Sequence, residues 1–144
     1  MPTKSSGVDI VVDTSVAVSL IVESHEHHDA TLEAVDGRRL ALAGHAAFET
    51  FSVLTRLPPP LRRSPEAVVQ LLNANFPFTA HLSPTTANAL LTKIASRGIA
   101  GGSIYDAMVG ISAVEYDLVL LTRDLRALPV YRSLGVELEV IRDH

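Results

Sequence analysis

Cysteine and tryptophan are absent from this chain, and its aromatic residues are three tyrosines and four phenylalanines. Without cysteine there is no thiol nucleophile, no zinc–thiolate site and no disulfide, and a reducing cytoplasm is the expected setting. No apolar run approaches the ~18 residues that a membrane-crossing helix needs, so no membrane association is expected. The opening MPTKSSG lacks a hydrophobic core and reads as a disordered lead-in over residues 1–7, not as a signal peptide. Basic charge is also scarce: 12 Lys and Arg against 16 Asp and Glu leave a formal net charge of −4. That sign is opposite to the one needed to coat DNA or RNA electrostatically. It still allows an enzyme that meets a phosphodiester locally through bound metal.

What the chain does contain is apolar bulk. Its 144 residues are 47% hydrophobic and 19% charged, which suits one compact domain over residues 8–144 with a single core. DIVVD is a short β-branched run and reads as a buried strand, followed by a helix over TSVAVSLIVES. HEHHDATLEAV reads as a second helix ending at Asp36-Gly37, and RLALA as a weak strand. GHAAFETFSVLTRL carries Ala47, Phe51, Leu54 and Leu57 as an apolar helical stripe, closed by Pro58-Pro59-Pro60. Ser64-Pro65 and Ser83-Pro84 each open a helix, with serine as cap and proline at the first helical position. FTAHL lies between them as a strand, and Gly98 ends the second of these helices. SIYDAMVGISAVEYD then reads as a helix, LVLLT as a strand, DLRALPVYRSLG as a helix and VELEVI as a strand. Strands alternating with helices imply a three-layer α/β/α sandwich around a mostly parallel sheet of four to five strands.

Ligands of such sheets bind beyond the carboxyl ends of the strands. Asp13 and Asp124 lie there, Glu49 is early in the third helix, and Asp106 is in the first turn of the helix after GGS. Each has a structural reading: Asp13 and Asp124 as caps or turn residues, Asp106 as the partner of Ser103 in a capping box. Glu49, between Phe48 and Phe51, is the hardest to explain structurally, because an unpaired buried charge costs several kcal/mol. Asp106 is the easiest. Together the four acids describe a site of carboxylate oxygens without His or Cys, which favours Mg²⁺ or Mn²⁺ over zinc. Such ions activate water and neutralise charge on a phosphate, so phosphodiester hydrolysis is the reaction that fits. The hydroxyls of Thr14, Ser15 and Thr122 stand beside these acids and either orient them or serve as plain helix caps.

VVDTSV, FETFSVLTRL and YDAMVGISAVEYDLVLLTRDLRAL, in that order, resemble the PIN-domain ribonucleases of the VapC toxin type. The similarity runs from about Val8 to Ile141, and the spaced order D…E…D…TxD is its specific part. The resemblance implies a magnesium- or manganese-dependent endoribonuclease that leaves 5′-phosphate and 3′-hydroxyl ends. Asp13, Glu49, Asp106 and Asp124 match the family's acidic quartet, the first three as main ligands, and Thr122 matches the Thr of TxD. It further implies a toxin that dimerises, cuts a tRNA, rRNA or mRNA, and is silenced by a VapB-type antitoxin whose C-terminal segment crosses the groove. A catalytically inactive PIN-like module that only binds a partner is the alternative, and its mark would be a broken quartet.

Other side chains are open to two readings. HEHHD (His25 to Asp29) looks like a metal site but reads as a solvated helix start, since no matching ligands occur elsewhere. His45 faces the groove or simply caps its helix. Tyr105 stacks a base or fills the core. Arg56, seven residues after Glu49, and Arg123 are candidate RNA contacts, with Arg62, Arg63, Lys93 and Arg97 as further candidates, and each also reads as an ordinary solvated charge. A phosphoacceptor receiver fits poorly because Asp13 has no acidic neighbour and the only interior lysine is Lys93. A haloacid-dehalogenase-like phosphatase would need Asp where Ser15 stands.

Overall fold

The computed structural model describes residues 7–142. The expected lead-in over residues 1–7 lies outside them apart from Gly7, as do residues 143–144. Five strands form one sheet in the order β3-β2-β1-β4-β5, and every pairing is parallel. They are β1 (Ile10–Val12), β2 (Leu40–Ala43), β3 (Phe78–Ala80), β4 (Leu120–Thr122) and β5 (Leu138–Val140). The α-helices are α1 (Thr14–Ile21), α2 (His28–Val35), α3 (Gly44–Thr55), α4 (Pro65–Asn75), α5 (Pro84–Ser96), α6 (Ser103–Glu115) and α7 (Leu128–Ser133). The expected α/β sandwich is therefore present, with the sheet at the upper end of the expected strand number and wholly parallel.

Every residue of β1, β2 and β4 is buried, and all but Thr122 are apolar, as strands covered on both faces require. The two serine caps form as read: Ser64 accepts from the Ala67 N–H, Ser83 from the Thr86 N–H, and a proline follows each. Gly98, at φ +68°, closes α5 in the left-handed conformation.

Three helices differ from expectation. The first stops at Ile21 and the second starts only at His28. Val22 turns extended and keeps its side chain in the core, whereas Glu23 to His27 have no apolar side chain to bury and form a turn. The single helix expected over DLRALPVYRSLG is divided into a 3₁₀ turn, Leu125–Ala127, and α7. Pro129 has no N–H to donate back to Leu125, so an α-helix cannot run through.

The chain moves outward from β1 through β2 to β3, then returns to the other side of β1 for β4 and β5. β1 and β4 are thus neighbours whose connections leave in opposite directions. Their carboxyl ends frame the crevice where open parallel sheets bind ligands.

Candidate active site

Asp13 follows β1 directly and sits at the floor of that crevice, only 4% exposed. Its Oδ1 accepts from the Ser15 hydroxyl at 2.5 Å and from the Val16 N–H at 3.2 Å, the latter capping α1. Its Oδ2 accepts from the Thr122 hydroxyl at 2.5 Å and the Tyr131 hydroxyl at 3.0 Å. Burial pushes the Asp13 carboxyl above the usual carboxylate range, while these four donors pull the other way. Burial, with Asp13 beside it, drives the Tyr131 phenol upward, so it remains a donor. Tyr131 reaches this position from α7 because Gly110 of α6 presents no side chain: a Cβ there would lie 3.1 Å from the tyrosine ring and 2.9 Å from Val136.

The other three acids open on the same cavity. Asp13, Glu49, Asp106 and Asp124, with Thr14, Ser15, Arg126 and Tyr131, line a volume of about 270 Å³. Glu49 comes from α3, which packs on both α1 and α6. Thr14 donates to its Oε1 at 3.2 Å, and His45 Nε2 lies 3.7 Å from the same atom. Asp106 comes from the first turn of α6, and Asp124 caps the 3₁₀ turn after β4 by accepting from the Arg126 N–H at 3.0 Å.

The structural ranking of these acids is reversed. The Glu49 side chain is 42% exposed, so no burial cost attaches to it. Asp106 is in no capping box: Gly102 is the cap of α6, and no side chain bonds there. Asp106 instead meets Arg126, whose Nη1 and Nη2 donate to its Oδ2 at 3.1 Å and Oδ1 at 3.3 Å. Arg126 Nη2 also donates to Asp124 Oδ2 at 3.0 Å, so one guanidinium spans both acids while 67% exposed.

The three hydroxyls orient the acids and none of them is a helix cap: Thr14 binds Glu49, and the cap of α1 is Asp13 itself. Ser15 binds Asp13 and also accepts from the Arg123 N–H at 3.0 Å; Thr122 binds Asp13 and accepts from the Asp124 N–H at 3.0 Å. The network therefore ties the end of β1 to the end of β4. Arg56 and Arg123 do not line the cavity. Arg56 lies just past the end of α3 and turns its Nε back to the Ser52 carbonyl at 3.2 Å. His25 to Asp29 form the turn and start of α2, and His28 Nδ1 pairs with the Ser19 carbonyl at 2.9 Å. His45 does not cap α3, whose cap is Ala43, and its side chain is partly buried. It stacks on Tyr105, which is half exposed rather than in the core.

Two site residues carried no usable sequence signal. Tyr131 is indistinguishable from a core aromatic until α7 is packed on α6. Arg126 had one weak cue, its position two residues beyond Asp124, which matters only once that segment is a 3₁₀ turn.

The donor set suits a hard divalent cation: four carboxylates and adjacent hydroxyls, all oxygen, around one cavity. Among the described residues no three His, Asp or Glu side chains are drawn close enough to form a finished metal cage. The cation that does reach two of the acids is Arg126.

A five-stranded parallel sheet with acids gathered where β1 meets β4 is the architecture of a PIN domain, and the PIN domain family matches residues 10–132. The chain belongs to the PIN-domain family, in its VapC-type group. It is 43% identical over 131 residues to ribonuclease VapC27 of Mycobacterium tuberculosis, covering 91% of this chain and 96% of that protein. Ribonuclease VapC40 of the same species is 41% identical over 136 residues, covering 92% and 98%. In fold, the chain is similar to VapBC2 from Rickettsia felis, solved bound to a DNA fragment from its promoter. The TM-score is 0.66 at 14% identity, over 92% of this chain and 98% of that one. No helix among the described residues is long and apolar enough to cross a membrane.

Proposed function

We propose that this protein is a metal-dependent endoribonuclease and the toxin of a type II toxin–antitoxin pair, acting in the cytoplasm on a tRNA, rRNA or mRNA. The observation that carries the reading is the convergence of Asp13, Glu49, Asp106 and Asp124 on one cavity at the junction of β1 and β4. The two ribonuclease relatives, similar over nearly their whole length, support it.

Mg²⁺ or Mn²⁺, when bound, would supply Lewis-acid stabilisation of phosphate charge and acidify water at neutral pH. Asp13, Glu49 and Asp106 would be the main residues holding the ion, with Asp124 completing the site. The protein's own contribution is orientation. Ser15, Thr122, Tyr131 and the Val16 N–H hold the Asp13 carboxylate in one position, and Thr14 holds Glu49. Thr122 also fixes the backbone of Asp124 relative to Asp13. Arg126 offsets part of the charge of Asp106 and Asp124, and an ion held by both acids would displace it. A VapB-type antitoxin and a homodimer complete the reading. The low positive charge of the chain agrees with DNA binding by the antitoxin.

The test is incubation of the purified chain with total tRNA and Mg²⁺ or Mn²⁺, beside Asp13→Asn and a chelated control. We expect endonucleolytic fragments from the parent chain alone and only with metal. Cleavage that survives chelation or the substitution would refute the assignment. No cleavage of tRNA, rRNA or mRNA would favour the inactive, partner-binding module.

A further inference from the structure

A second surface borders the acids. His45 and Tyr105 stack face to face with centroids 4.8 Å apart and planes 9° from parallel. One turn along α3, Phe48 approaches His81 at 6.1 Å, tilted by 46°. His81 follows β3, and it meets the start of α3 because residue 44 is glycine: a Cβ there would stand 2.9 Å from the His81 Cα. Phe48 is 66% exposed and Tyr105 49%, in a chain with few aromatics. Between His45, Phe48, His81 and Met108 lies a cavity of about 190 Å³, below the ~300–1,000 Å³ of a site for a drug-sized ligand. It has room for a flat ring rather than a large molecule. The shelf joins the acid cavity at two points. His45 lies 3.7 Å from Glu49, and Tyr105 immediately precedes Asp106.

We infer that this shelf is a nucleobase-stacking subsite, taking one or two unpaired bases beside the phosphate presented to the acids. The inference rests on the ribonuclease reading and makes its substrate single-stranded RNA. The charge of the molecule supports it. With a net charge of −4, and Arg126 the one Lys or Arg side chain on the acid cavity among the described residues, attraction for the phosphate backbone is weak. Binding energy has to come from another source. Proteins that bind unpaired RNA obtain it by stacking bases on aromatic rings, roughly 5- to 150-fold in affinity per base, with little demand on sequence. A second copy of the chain is a poorer occupant, because the shelf carries two imidazoles and a phenol and runs into acids. Large permanent protein interfaces are more apolar.

The experiment compares fluorescein-labelled oligoadenylate with an abasic oligomer of the same length and charge, by fluorescence anisotropy in EDTA so that neither is cut. The parent chain should prefer oligoadenylate by about fivefold or more. Tyr105→Ala and Phe48→Ala should each erase most of that preference without changing affinity for the abasic oligomer, and Tyr105→Phe should keep it. Both residues are exposed, and melting curves check that the variants remain folded. Equal affinity of the parent for the two oligomers overturns the inference, as does an equal loss on both in the variants. A dimer that falls apart in Phe48→Ala while oligoadenylate affinity stays the same would also overturn it, marking a copy–copy interface. Base-dependent binding by a parent chain that never cuts RNA with Mn²⁺ would remove the nuclease reading alone. Metal-dependent cutting without base dependence would remove the shelf alone.

Discussion

Thr50 is fully buried in α3, and among the described residues its hydroxyl has no hydrogen-bond partner, whereas buried Asp13 collects four donors. An unsatisfied buried polar group costs about 1–3 kcal/mol, so removing it is cheap. Thr50→Val should be neutral or stabilising by up to ~1 kcal/mol in denaturant unfolding. A clear loss of stability would mean that the hydroxyl has a partner after all. At this scale the sequence was informative where a residue's role follows from its neighbours in the chain. Asp13 and Asp124 could be placed because each closes a strand, and the hydroxyls because they adjoin those acids. Glu49 was singled out for the wrong reason, since helical position alone does not tell a buried face from the rim of a groove. Tyr131 and Arg126 join the site only through packing between elements distant in sequence.

Among the elements, α5 shows how a cap can come from far away. Glu115, at the end of α6, accepts from the Ser83 hydroxyl at 2.5 Å and the Ser83 N–H at 2.8 Å, and also from the Thr86 hydroxyl. Burial alone would raise the Glu115 carboxyl, but these donors outweigh it and hold the group below its ordinary value of 4.5. A carboxylate lowered on folding adds stability that is present above its ordinary value and lost as pH falls through the lowered one. Glu115→Gln should therefore cost about 1 kcal/mol at neutral pH, with the difference shrinking under acid. Melting temperatures of both proteins across that range check this, and a constant offset at every pH would refute the charge-based account. The Ser83-Pro84 start was legible because capping serine and proline are local signals. Its anchoring by Glu115 was not. The split before α7 does have a local signal, Pro129 inside an otherwise helical pattern.

For the molecule as a whole, the parallel α/β class followed from alternating apolar runs and caps, but the strand order did not, because pairing between β1 and β4 leaves no local trace. That order makes the site a junction between two parts of the sheet. An ion bound only by the folded state stabilises it, by about 2.7 kcal/mol at a hundred times its Kd, on the order of 10 °C in Tm for a chain of this size. Mn²⁺ should raise the Tm accordingly and EDTA should reverse the gain. An unmoved Tm would speak against the four-acid ion site. Exposed ion pairs contribute roughly 0.2–1 kcal/mol each, so removing Arg126 should favour the competing ion. We expect Arg126→Ala to bind Mn²⁺ about two- to fivefold more tightly by calorimetry; unchanged or weaker binding would show that Arg126 does not compete. The hydrogen bond from Thr122 to Asp13 spans 109 residues of chain. A polypeptide emerging from the ribosome thus displays Asp13 and Glu49 long before β4 exists to complete the cavity. The cavity on which the four acids meet therefore closes in one late event, once β4 and the segment after it have been made.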